Sequence, residues 1–138
     1  MTNRTRTAFT LLELLLVVVI IGILAATIIP SLGGRSEQAR ISAAKQDLST
    51  LHLALTNFNN DTGKYPTTDQ GLEALITRPT SIREDMWHGR YVQADSVPLD
   101  PWGNKYVYSL KTETEYELKS SGPDGRAGTQ DDVTSTRK

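Results

Sequence analysis

The sequence of 138 residues contains no cysteine, so disulfides and thiolate metal sites are excluded. An oxidising compartment is not excluded with them; any tie needed there must be made by something else. Histidine is scarce too, with only His52 and His88, far apart in sequence. With no thiol, no Ser-His-Asp grouping and no phosphate-binding loop, an anchored enzyme is the weakest functional class. There is also no block of one charge. Lys and Arg total 15 against 16 Asp and Glu, interspersed along the chain, which speaks against nucleic acid as the main partner.

What the chain does have is one long apolar run, Phe9 to Ile29, interrupted by a single charge at Glu13. As a helix this run spans about 31 Å, the thickness of a bilayer's hydrocarbon core. Arg4 and Arg6 precede it, which places the N-terminus in the cytoplasm and the rest of the chain across the membrane. A secretory signal peptide has a shorter apolar stretch and a small-x-small cleavage site at its end; here the run continues past Ala25-Ala26 to Pro30. A plain anchor leaves Glu13 unexplained, because a carboxylate within an apolar span is costly and usually marks function.

Ala8-Phe9-Thr10-Leu11-Leu12-Glu13 resembles the processing site of type IV pilins and type II pseudopilins. The resemblance implies cutting after Ala8 by a prepilin peptidase, methylation of the new amine on Phe9, and an assembly role for Glu13 as the fifth mature residue. The family favours Gly before the cut; this chain has Ala8, the next smallest residue. Gly22 and Pro30 fall where the family's helix is commonly weakened, and a proline removes a helical donor, so local melting is expected from Gly22 to Pro30.

Beyond Ser36 the pattern becomes amphipathic. Ile41, Ala44, Leu48, Leu51, Leu55 and Phe58 recur three or four residues apart and make one apolar stripe, and Asn59 to Gly63 end it with turn chemistry. The stripe is too short for a coiled coil and is expected to pack on the chain's own sheet. His52 lies between Leu51 and Leu53 and is read as a rim residue without a role. Thr67 or Thr68 is a candidate cap for a short helix with Leu72 and Leu75 facing inward. Asp100-Pro101-Trp102-Gly103-Asn104 reads as a turn, with Trp102 over the core. Tyr106, Tyr108 and Leu110 alternate, as do Tyr116 and Leu118, which predicts two antiparallel strands joined around Lys111 to Thr114.

Ser120 to Asp132 is a glycine-rich loop with three carboxylates and almost no apolar content. Hard oxygen donors between flexible carbonyls suit calcium, but the EF-hand pattern is missing, and on these residues alone a solvated tail is an equal reading.

The strings YPTTDQGLEAL and DPWGN, with the S-x-G-x-D-G-x-x-G loop, resemble the major pseudopilins of type II secretion more than ordinary type IV pilins. That resemblance implies an α+β pilin fold: a long N-terminal helix, membrane-spanning in its first half, packed on a small antiparallel sheet with a C-terminal calcium-binding loop. It implies three parts, a leader 1–8, a transmembrane assembly helix 9–30 and a periplasmic domain 31–138. For the metal, it implies Ca2+ held by the side chains of Asp124, Asp131 and Asp132 with the carbonyls of Ser121 and Arg126. The expected protein is a non-enzymatic subunit of a helical homopolymer in the bacterial inner membrane, single-pass, with a cytoplasmic N-terminus. Its expected partners are further copies, minor pseudopilins, the prepilin peptidase and the inner-membrane assembly platform, not nucleic acid. The competing reading is a type IV pilin of a surface fibre for adhesion or DNA uptake.

Overall fold

A computed structural model describes residues 10–134, without the side chains of 25–35. Ala8 and Phe9 therefore lie outside the described residues. The chain divides into two compact units, Met1–Gln38 and Ala39–Lys138, and helix α1, Leu11–Thr62, contributes to both.

In the first unit, Thr10 caps α1. Its Oγ1 accepts from the Glu13 N–H at 3.3 Å, and its carbonyl accepts from the N–H groups of Glu13 and Leu14. This is half of a Thr-x-x-Glu capping box, and it places Glu13 in the first turn, where negative charge is favoured by the helix dipole. α1 thus begins at Leu11, two residues into the apolar run. From Gly22 to Pro30 the expected local melting is absent, and α1 runs through unbroken. Helix propagation is cooperative, and strongly helical sequence on both sides carries the element through one lost donor. From Leu11 to Leu24 every large apolar side chain is exposed, from 48% at Val17 to 82% at Leu11. Among the described residues no helix is long and apolar enough to cross a membrane. The apolar run read from the sequence continues over 25–29, whose side chains are not among those described.

The second unit is built as the stripe demands. Ala44, Leu48, Leu51, Leu55 and Phe58 are buried, joined by Ala54, with Ile41 at the margin. Each fully buried Leu or Phe contributes about 1.5–3 kcal/mol relative to exposure. α1 ends with Gly63 at φ 76°, the left-handed conformation that closes a helix and that glycine adopts without strain. The Gly63 N–H donates to the Asn59 carbonyl at 2.8 Å.

Thr67 and Gln70 bond reciprocally, the Gln70 side chain accepting from the Thr67 N–H and the Thr67 hydroxyl from the Gln70 N–H. This pair closes a turn ahead of a 3-10 helix, Leu72–Leu75, which has no side-chain cap of its own; Leu72 and Leu75 point inward as expected. The expected cap thus sits one turn early, because Gly71 separates it from the helix. A second 3-10 helix, Glu84–Met86, follows.

Strand β1 (Val107–Leu110) pairs antiparallel with β2 (Tyr116–Ser120), and β2 with β3 (Val133–Thr134), in the order β1-β2-β3. The two predicted strands are present, with Tyr108 opposite Leu118 and Leu110 opposite Tyr116. Inward-facing Tyr106, Tyr108, Leu118 and Val133 complete one core with the helical stripe, and Trp102 packs at its edge. Tyrosine hydroxyls tie the sheet region to distant segments. Tyr106 donates to Asp47 at 2.9 Å, Tyr108 to the Pro66 carbonyl at 2.7 Å, and Tyr116 lies 2.7 Å from His52 Nδ1. His52 is therefore a half-buried partner of the sheet rather than a rim residue without a role.

Candidate functional site

Two regions carry functional residues. The first is the start of α1, where Glu13 is the one charge among exposed apolar side chains. Ala8 and Phe9, the expected processing pair, lie outside the described residues.

The second region is the loop between β2 and β3, and its root is set by a carboxylate the sequence reading did not single out. Asp100 is buried, with Oδ1 accepting from the Trp102 and Asn104 N–H groups at 3.1 and 2.8 Å and Oδ2 accepting from the Ser120 hydroxyl at 2.6 Å. Ser120 Oγ accepts in turn from the Gly122 N–H at 3.1 Å, and Asn104 Nδ2 donates to the Gly122 carbonyl at 3.2 Å. A buried polar side chain is retained when its hydrogen bonds are made, and here they lock the 100–104 turn to the base of the loop. The pattern Asp-x-x-x-Asn in a turn was the available signal, since Asp side chains commonly accept from backbone two to four residues on.

The loop itself doubles back tightly. Gly122 has φ 65°, and a Cβ there would stand 2.1 Å from the Asp131 carbonyl oxygen, so no other residue fits. Ser121 is buried, whereas Asp124, Arg126 and Asp131 are exposed. Asp124 Oδ1 accepts from the Arg126 N–H at 2.9 Å, and the Arg126 carbonyl accepts from the Thr129 hydroxyl at 3.2 Å.

Asp132 points back toward the sheet. Its Oδ2 accepts from the Gly128 N–H at 2.9 Å and pairs with Lys119 Nζ at 2.8 Å. Its Oδ1 is buried without a hydrogen-bond partner. Lys119, mainly through its hydrogen bond, holds the Asp132 carboxyl below the usual carboxylate range; Asp132 and then Glu117 raise the Lys119 ammonium.

As a calcium site the loop fits in part. The donors are all oxygen, and the orphaned Asp132 Oδ1 is an acceptor that a hard cation would satisfy. The three expected carboxylates are not gathered, however. Among the described residues no three acidic or histidine side chains converge as a metal set. Asp124 is turned to its own loop backbone and Asp132 to Lys119.

Comparison with known proteins covers both regions. The model of the type II secretion system protein G family matches residues 31–136, and the prokaryotic N-terminal methylation motif matches residues 3–29. The type II secretion system core protein G of Escherichia coli is 43% identical over 127 residues, covering 91% of this chain and 88% of that one. Its counterpart in Aeromonas hydrophila is 41% identical over 136 residues, covering 96% and 94%. The crystal structure of the major pseudopilin of enterohaemorrhagic Escherichia coli superposes with a TM-score of 0.64 at 33% identity, covering 75% of this chain and 88% of that one. Motif, length and fold agree, and the chain belongs to the protein G family of the type II secretion system.

Proposed function

We propose that this chain is the major structural subunit of the type II secretion pseudopilus. It is cut before Phe9 and methylated there, and it polymerises in the inner membrane to drive export of folded proteins across the outer membrane. Residues 1–8 are the leader, 9–30 the membrane and assembly segment, and 31–138 the periplasmic domain. The N-terminus is cytoplasmic. The chain performs no catalysis; it assembles with copies of itself, with minor pseudopilins and with the inner-membrane platform. A type IV pilin of a surface fibre is the lesser reading, since the relatives are named for secretion.

One observation carries this reading: an apolar half-helix exposed on every side, with a single carboxylate in its first turn. Such a surface needs lipid or like helices around it. Glu13 then offers its charge to a cation in that apolar setting, the new amine of Phe9 on a neighbouring copy, where attraction is far stronger than in water. Glu13→Ala should insert and be processed, by intact mass lacking residues 1–8, yet yield no filaments by electron microscopy and no secretion. Normal filaments and secretion from that variant would refute the assembly role.

Calcium belongs to the same reading. Asp132 supplies the inward acceptor, Asp124 and Asp131 move in with the metal, and the carbonyls of Ser121 and Arg126 complete the donors. When bound, the cation replaces the cross-tie that a chain without cysteine cannot make. Chelation should lower the melting temperature of the purified chain, and calcium should restore it better than magnesium, which demands a stricter octahedron.

A further inference from the structure

Asp132 already has a cation. The β2–β3 register places Lys119 opposite Thr134 and Ser120 opposite Val133, so Lys119 and Asp132 lie diagonally on one face of the sheet. Lys119 Nζ stands 2.8 Å from Asp132 Oδ2 and 3.1 Å from Glu117 Oε1. Glu117 Oε2 in turn receives Lys111 Nζ at 2.8 Å. Lys111, Glu117, Lys119 and Asp132 form a row of alternating charge running from the end of β1 across β2 to the foot of the loop. The row is not uniform: the side chains of Lys119 and Asp132 are only 13% and 12% exposed, those of Lys111 and Glu117 55% and 39%. Its inner pair is thus the part least weakened by solvent and salt.

From this geometry we infer that Lys119 is the loop's built-in counter-cation: it holds Asp132 while no metal is bound, and its ammonium shifts toward Glu117 when calcium binds. The inference rests on the calcium reading above. Calcium on the free Asp132 Oδ1 would stand a carboxylate's width from the Lys119 ammonium on Oδ2, and the two cations repel each other across it. Glu117 gives Lys119 an alternative seat within reach, without breaking β2. The free energy of weakening the Lys119–Asp132 pair is subtracted from calcium binding, and Lys119 therefore tunes the loop's calcium affinity while keeping the empty loop folded.

The test uses the full chain purified in detergent, with calcium titrated by calorimetry and melting followed in chelator and in saturating calcium. Lys119→Met keeps the apolar stem and removes the competitor. It should bind calcium about tenfold more tightly and melt below wild type in chelator, with the deficit closing in calcium. Glu117→Gln removes the alternative seat and should bind calcium more weakly, about threefold or more; it also serves should Lys119→Met fail to fold. Lys111→Met removes an equal charge that does not touch Asp132, and should change affinity less than about threefold, which separates contact competition from a general field. Unchanged calcium affinity in Lys119→Met, or an equal shift in Lys111→Met, overturns the inference while leaving the calcium site standing. Absence of calcium binding by wild type and Lys119→Met alike overturns the calcium reading itself, and the inference with it.

Discussion

Residues 11–24 and 44–58 of α1 are both rich in leucine, yet they make opposite use of it. In the first stretch Leu, Val and Ile fill nearly every position, and all of them are exposed. In the second, Ala44, Leu48, Leu51, Ala54, Leu55 and Phe58 are at most 2% exposed while Lys45, Gln46, Ser49, Thr50 and Asn57 face outward. A helix apolar all round has no preferred face to bury within one small domain, whereas a stripe defines one. Apolar content therefore does not tell where a core is; its angular distribution does. The second stretch is stabilised by this chain's own sheet, and the first awaits surroundings the chain does not supply.

The contrast can be broken by mutation. Phe58→Ala should remove about 3–5 kcal/mol, a large part of a small domain's total, and should be seen as a sharply lower denaturation midpoint. Leu16→Ala should leave that midpoint within about 0.5 kcal/mol, because its side chain is exposed and lies outside the core cluster. Equal losses from the two would erase the distinction.

Gly122→Ala sharpens it from the other end of the chain, where stability comes from backbone fit and not from apolar area. The left-handed φ alone costs about 1–2 kcal/mol, and the clash with the Asp131 carbonyl adds to it. A loss of about 2–4 kcal/mol is expected, with amide exchange in β3 accelerating more than in α1. A neutral substitution would mean that the loop is not held as described.

pH reads the same core through its tyrosines. Burial, with the Asp47 hydrogen bond for Tyr106, pushes the phenols of Tyr106 and Tyr108 well above their ordinary value. A raised pKa in the folded state stabilises wherever the unfolded phenol is still neutral. That contribution is complete below about pH 10 and declines as pH rises beyond it, since the unfolded chain ionises first. Melting temperature should hold to about pH 9.5 and then fall, and Tyr106→Phe should blunt the fall. A flat profile to pH 11 would show that these hydroxyls reach water freely.

Much of this was legible. The stripe was readable because a helix repeats its apolar residues every three or four positions, and β1 and β2 because Tyr106, Tyr108 and Leu110 alternate. β3 was not readable, since Val133–Thr134 has too few residues for any period. The loop's glycines and acids pointed to a special backbone, but what organises it lies elsewhere in sequence. Asp100 and Asn104 reach the loop only once the turn at 100–104 is folded, and Lys119 meets Asp132 only through strand register. Thr10-x-x-Glu13 is a capping signature that the sequence carried in plain view, inside the apolar run.

The tyrosine ties have a consequence in time. They join residues 59, 64 and 42 positions apart in the chain, and each requires a long loop to close before it forms. The amphipathic half of α1 can form from local contacts on the microsecond scale, but its stripe stays uncovered until Tyr106 to Leu118 arrive. The newly made chain therefore passes through an interval in which a finished helix presents bare leucine and phenylalanine to its surroundings. Refolding of the purified chain should show helical signal gained before tyrosine and tryptophan signals settle, and crowding among nascent copies is most hazardous in that interval.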